Sequence, residues 1–449
     1  MIQVPHTSIA TLSHALQSGQ FSSCELIEQC LSTITEIEPS LNAYITVLRD
    51  DARAEAQAAD RAIARGDVQG PLHGLPISIK DIIDVKGVAT SAASHVRKGH
   101  LANTDATVVA RLRAAGAIVI GKCNLHEFAF GTTGEDSLAG PTRNPHSPTC
   151  IPGGSSSGSA VSVAADMAVA SLGTDTGGSI RIPASACGVV GLKPTFGEAC
   201  LDGVVPLAPT LDHLGLLTRT VGDAALLYHI IRDNPNAIQS RVVNRKQQTC
   251  FGIPRQYFLD VIDPAVANAF EHTVRRLKAV GASVVDVDIP HAAETAPVYL
   301  HTQLPEAATC HQYTLKYHAE EYCPRVRARL ELGRYVLAED YLLAQRGRTI
   351  LTDEVDTVLI NHDALLLPTL PIVPPMIGTD TIAFGQLSGS VHALMLRLTQ
   401  LFNLTGHPAI SIPSGVAGGL PVGMQLVGRR HNTDELLEVA KKFEDTIRG

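Results

Sequence analysis

The chain has 449 residues, 45% of them apolar and 18% charged, a balance that supports a large buried core and excludes global disorder. Its formal net charge of -8 argues against a nucleic-acid surface, because phosphate binding needs clustered Lys and Arg. Trp is absent and aromatics are only 4%, which leaves little material for a carbohydrate or base-stacking platform.

The opening MIQVPHTSIATL lacks a basic segment followed by a continuous apolar stretch, so no signal peptide is expected. No run of about 18 apolar residues occurs, and no membrane-spanning helix is expected either. The first 65 residues read as helical. Ser22 and Glu25 have capping-box spacing, and Leu26, Ile27, Cys30, Leu31, Ile34 and Ile37 follow at helical period. An Ala-rich helix runs from about Asp51 and stops near Gly66. Residues 75–80 (LPISIK) read as a short buried strand, 107–115 as helix, 117–120 (AIVI) as strand and 159–170 as helix. Asp263 and Pro264 have the chemistry of an N-cap and first helical position for a helix over 264–280. Residues 282–289 read as strand, 365–367 and 410–412 as strand cores, and 434–447 as a closing helix. The alternation predicts an α/β fold with a largely buried sheet. Residues 368–376 (PTLPIVPPM) are Pro-rich but short, and read as an internal loop. The nine Cys, an odd number without a C-x-x-C pair, read as free thiols of a cytoplasmic protein.

The densest chemical signal lies at 152–195, where two small-residue turns, 153–159 and 174–179, flank one helix. Glycines at such positions let backbone N–H groups approach a ligand, and consecutive N–H groups form an anion-binding nest. A serine in that nest has an attack position beside a ready oxyanion hole. A flexible Gly/Ser loop accounts for the composition of 153–159 equally well. A phosphate loop does not, because the Lys and terminal hydroxyl of G-x-x-x-x-G-K-[ST] are missing. Residues 154–158 match G-x-S-x-G with Ser156 central, but that elbow must follow a strand, and the preceding SPTCIP is loop chemistry. His126-Glu127 begins an H-E-x-x-H pattern that fails at Phe130, so no metal site is expected.

These segments together resemble the amidase signature family. GGSSSGS, GTDTGGSIRIPASACGVVGLKPT and LHGLPISIKDIIDVKG are similar to its diagnostic stretches. The likeness continues through PTRNP, LDHLGLLTRT, FNLTGHPAISIP and GLPVGMQLVG, leaving 1–70 and 236–357 least diagnostic. The resemblance implies a single domain with a central mixed sheet wrapped by helices. Within it, 1–66 would be an N-terminal helical segment, 71–235 the catalytic core, 236–360 a variable pocket-forming region and 361–449 the C-terminal part of the core. It also implies roles: Ser179 as nucleophile, Ser155 as proton relay, held by a cis peptide, and Lys80 as base. The backbone N–H groups of Thr176, Gly177, Gly178 and Ser179 would line the oxyanion hole, and Ser156, Asp175 and Arg181 would brace the site.

The chemistry is coherent with those roles. A serine hydroxyl needs a base, and a free Lys, with a pKa of about 10.4, serves only if burial disfavours its ammonium. Lys80 ends an apolar strand and is followed by Ile82 and Ile83; Asp81 should point to the opposite face. The resemblance implies hydrolysis of small or aryl amides through an acyl-enzyme, with carbamates and esters as neighbouring substrates and no cofactor. The expected partner is the small-molecule substrate alone, with no nucleic acid or membrane, in a monomer or homodimer. A glutaminase-type subunit of a multi-subunit amidotransferase, with partner subunits, is the alternative. Candidate substrate-pocket residues are Phe130, Gly131, Thr132, Tyr335, Gln400 and Phe402, with Tyr317 and Tyr322 as further aromatic candidates.

Overall fold

Local chemistry starts the first long helix where the sequence places it. Ser22 caps the helix Ser23–Leu41: its hydroxyl accepts from the Glu25 N–H, and the Glu25 carboxylate accepts from the Ser22 N–H at 2.7 Å. The computed structural model describes residues 7–233, 248–384 and 387–448; residues 1–6 and the boundary expected at 235 lie outside these.

Thirteen strands are present among the described residues: β1 Tyr44–Val47, β2 Pro76–Lys80, β3 Ile118–Cys123, β4 Ala170–Asp175, β5 Val190–Lys193, β6 His213–Thr218, β7 Cys250–Pro254, β8 Ser283–Val287, β9 Ala364–Pro368, β10 Thr381–Phe384, β11 Leu387–Ser390, β12 Ala409–Ala417 and β13 Leu420–Val427. Eleven form one mixed sheet in the order β1-β3-β2-β4-β6-β5-β12-β13-β9-β7-β8, while β10 and β11 make a separate hairpin. β2 runs parallel to both β3 and β4, whereas β6, β5, β12 and β13 pair antiparallel. Every residue of β2, β3 and β4 is buried, as expected where helices cover both faces of a parallel segment. The single α/β domain with a mixed, helix-wrapped sheet is the architecture expected from the sequence.

Two local expectations are corrected. The helix expected over 159–170 is Ser157–Ala164, and Ala170 already belongs to β4. Asp166 ends it in the left-handed region at φ 55°, with its carboxylate on Arg219 at 2.6 Å. The apolar run that follows extends into the sheet rather than winding on. The helical N-terminal region is likewise interrupted by β1, whose Tyr44 pairs with Cys123 on the sheet edge. Helical period describes each side of that break but not the strand within it. β5 and β6, at the sheet centre, were also not read from the sequence.

Candidate active site

The parallel strands β2 and β4 end side by side, and their last residues carry charge into the interior. Lys80 is fully buried, and its Nζ donates to Ser155 Oγ and to Thr174 Oγ1, each at 2.8 Å. Neither partner is a carboxylate. Burial pulls the Lys80 amine down to about 7, against a weaker upward pull from Asp175 and Asp212. Asp81 turns to the other face, where its carboxylate meets Lys122 Nζ at 2.9 Å.

The two small-residue turns meet above Lys80. The Gly154–Ser155 peptide is cis. The Ser156 N–H donates to the Ser179 carbonyl at 3.1 Å, which ties the two serine segments together. Ser156 Oγ donates to the Thr174 carbonyl at 3.0 Å. It faces β4 and the helix Ser157–Ala164, so the elbow reading of Ser156 has no support in this geometry. The Ser179 hydroxyl has no hydrogen-bond partner among the described residues, and neither do the N–H groups of Thr176, Gly177, Gly178 and Ser179. Four consecutive backbone donors without partners in a buried segment are unusual, and successive N–H groups in a turn are of the kind that attracts negative charge. Glycine is required in this nest. A Cβ on Gly177 would stand 2.2 Å from Tyr299 Oη, and Gly178 has φ 142°.

A dense polar network holds the nest. Asp175 receives Arg181 Nη2 at 2.9 Å, Arg181 Nε at 3.0 Å and the Ile180 N–H at 3.1 Å. Burial pushes the Asp175 carboxyl up, but the Arg181 guanidinium outweighs this and holds it well below the usual carboxylate range. Arg181 is fully buried and continues to Asn403 Oδ1, Gln425 Oε1 and the Thr399 carbonyl. Asn403 returns to Asp175 Oδ1 at 2.8 Å, and Thr399 Oγ1 donates to the Gly177 carbonyl at 2.6 Å. On the other side Thr176 Oγ1 donates to Asp212 at 2.6 Å. Burial pushes the Asp212 carboxyl up to about 6, opposed by the hydrogen bonds from Thr176, Leu207 and Ala208. Thr174, Asp212, Tyr299, Thr399 and Gln425 were not singled out from the sequence, while Asn403, the end of the pocket-candidate segment 400–403, instead braces Asp175 and Arg181. For Asp212 and Gln425 the only signal was membership of family-like segments.

A cavity of about 440 Å³ adjoins the nest through Tyr299 and Leu396, both of which face Gly177. Phe130 and Gln400 line it. Gly131 instead packs under the His126 ring, and Thr132 Oγ1 lies 3.3 Å from His392 Nδ1 behind the wall. Tyr335 and Phe402 are corrections. Tyr335 is 80% exposed and outside the cavity lining, whereas Phe402 is fully buried and stacks on Phe258 with centroids 6.4 Å apart. Tyr317 is exposed, and Tyr322 is buried against Phe128 and His311. Helical period could not tell which side of each helix meets the cavity. The described residues contain no cluster of metal-ligating side chains, and no described helix is long and apolar enough to cross a membrane.

Comparison with known proteins agrees with this architecture. The family profile named Amidase matches residues 25–437. The chain is 36% identical to the A-type subunit of glutamyl-tRNA(Gln) amidotransferase from Geobacter metallireducens, covering 97% of this chain and 96% of that protein. Its counterpart from Carboxydothermus hydrogenoformans is 36% identical, covering 99% and 98%. Among solved structures, one described as an amidase superposes with a TM-score of 0.93 at 37% identity, over 98% of this chain and 100% of that one. Another belongs to a complex bearing on the origins of an s-triazine catabolic enzyme, with a TM-score of 0.91 at 34% identity and 98% coverage of both chains. The chain belongs to the amidase signature family, whose enzymes act on C–N bonds.

Proposed function

We propose that the chain hydrolyses small or aryl amides through an acyl-enzyme on Ser179, with Ser155 as relay and Lys80 as base. Carbamates and activated esters, which share the acyl-enzyme route, are secondary substrates. The observation that carries this reading is the buried Lys80 amine, held 2.8 Å from Ser155 with no carboxylate among its hydrogen-bond partners. A neutral amine takes the Ser155 proton while Ser155 takes that of Ser179. Ser179 Oγ then bonds to the substrate carbonyl carbon, and its oxygen gains negative charge opposite the unpaired N–H groups of the nest. The C–N bond breaks as the proton returns through the relay to the leaving nitrogen. Water repeats the sequence on the acyl-enzyme, releasing the acid and restoring Ser179. The nine free thiols fit work in the cytoplasm.

The similarity to the tRNA-dependent amidotransferase proteins favours a second reading, a glutaminase subunit that works with partners. Against it, no Asp or Glu lines the cavity to pair with the ammonium of glutamine. The purified chain, assayed alone with p-nitroanilides and with glutamine, separates the two: anilide turnover without partners supports the first, and ammonia release from glutamine alone the second. A fluorophosphonate should label Ser179; an adduct found on Ser156 by peptide mass spectrometry would overturn the assignment of the nucleophile.

A further inference from the structure

The cavity beside the nest has a charge imbalance that the amide chemistry does not use. In a chain of net charge -8, its wall holds two guanidinium groups, Arg329 and Arg397, and no carboxylate. Arg397 lies on the Tyr257 ring, its guanidinium carbon 4.1 Å from the centroid, and Nη2 donates to the Tyr257 carbonyl at 2.6 Å. Its Nε–H is shielded from solvent and has no acceptor among the described residues. Arg329 is fixed in the same manner: Nη1 donates to the Phe130 carbonyl at 2.6 Å, and the group stands 5.9 Å from the Phe130 ring centroid. The carboxylate acting on Arg329 is Asp136, which faces His126 at 3.2 Å and does not line the cavity. A guanidinium held flat on a ring presents the N–H bonds that remain open to the cavity in one plane.

We infer that the substrate carries a carboxylate, which binds in this cavity to Arg397, with Arg329 as a second cation. The inference rests on the amide-hydrolase reading of the site and names its substrate class: amides of carboxyl-bearing acids without an ammonium group. The planar fork of a guanidinium matches a carboxylate, and its stacked, fixed position lowers the ordering cost of binding. Val261, Leu300, Leu304 and Leu332 form apolar wall for the carbon chain between the carboxylate and the scissile bond.

Binding and turnover are measured separately. Titration calorimetry on Ser179→Ala uses N-phenylsuccinamate and N-phenylglutaramate, the methyl ester of each, and the phosphonate analogue. The acid is expected to bind at least tenfold tighter than its ester. Arg397→Met should bring that ratio close to one and Arg397→Lys should retain part of it, with thermal melting reporting that both are folded. Equal binding of acid and ester, or binding of neither, overturns the inference. Tighter binding of the phosphonate overturns the choice of carboxylate. A γ-glutamyl anilide, which adds an ammonium, should bind more weakly than the glutaryl one, and tighter binding overturns the substrate class. In the wild-type protein the matching p-nitroanilides should show the same preference in kcat/KM. Selective binding of the acids without hydrolysis of any anilide would refute the amide-hydrolase reading and uphold the carboxylate site.

Discussion

Lys80 and Lys122 stand on neighbouring strands, both fully buried, and face opposite sides of the sheet. Ile79 of β2 pairs with Lys122 of β3, so Lys122 shares a face with Ile79 and Asp81, while Lys80 takes the other. On the Lys122 face the ammonium meets the Asp81 carboxylate at 2.9 Å, Thr90 Oγ1 at 3.0 Å and the Ala89 carbonyl at 3.1 Å. On the Lys80 face it meets two hydroxyls. The same residue type at the same depth thus does two jobs. A counter-charge in direct contact ties a buried lysine into the structure; where the direct partners are hydroxyls, burial lowers the amine toward neutrality, as the proposed base requires.

The largest effects should fall on the Lys80 face. Ser179→Ala is expected to lower kcat by about 10⁴–10⁶, as loss of a triad nucleophile does; near-normal anilide turnover would dissolve the functional contrast between the faces. Lys80→Met should cost about 10³-fold or more in kcat/KM, yet raise the melting temperature, because it removes a desolvated amine. The wild-type kcat/KM should rise with pH through about 7 as Lys80 loses its proton. Stability follows the same group. The folded pKa lies below the unfolded one, so the unfolded chain binds more protons between about 7 and 10.5, and wild-type stability rises with pH across that window. Lys80→Met should flatten this slope in pH-dependent melts; an unchanged slope would assign the titration to another group.

Lys122→Met should do the reverse. It leaves the buried Asp81 without its cation, at about 3–5 kcal/mol of stability, read in denaturant melts. A Lys122→Met protein as stable as wild type would remove the structural half of the comparison. The smallest effect is expected for Thr174→Val, which deletes one of the two hydrogen bonds to Lys80 and should cost about three- to tenfold in kcat/KM. A loss as large as that of Lys80→Met would make Thr174 a member of the proton relay.

The sequence by itself determined what depends on short spacing. The capping box at Ser22, the alternation that makes an α/β sheet, and the Gly-rich turns around Ser155 and Ser179 are local demands of backbone geometry. Asp175 and Arg181, six residues apart, meet across one turn, but their bracing role was implied only by the family-like segments. Nothing local distinguishes Lys80 from other lysines; the family-like segments singled it out, and the fold supplied its burial and its two hydroxyl partners. Tertiary structure alone decided the rest. The helix expected over 159–170 overruns into β4 at Ala170, because an apolar run has no period of its own, and pairing with β2 and β6 settles 170–175 as strand. Tyr335 and Phe402 had the composition of pocket residues, but one faces outward and the other stacks in the core. Arg329, in the helix Pro324–Gly333, and Arg397, just past the helix Val391–Leu396, come from distant segments, and only the fold brings them to one cavity. Turn chemistry is written in neighbouring residues; a cavity wall is written in contacts between residues far apart in the chain, and only packing brings those together.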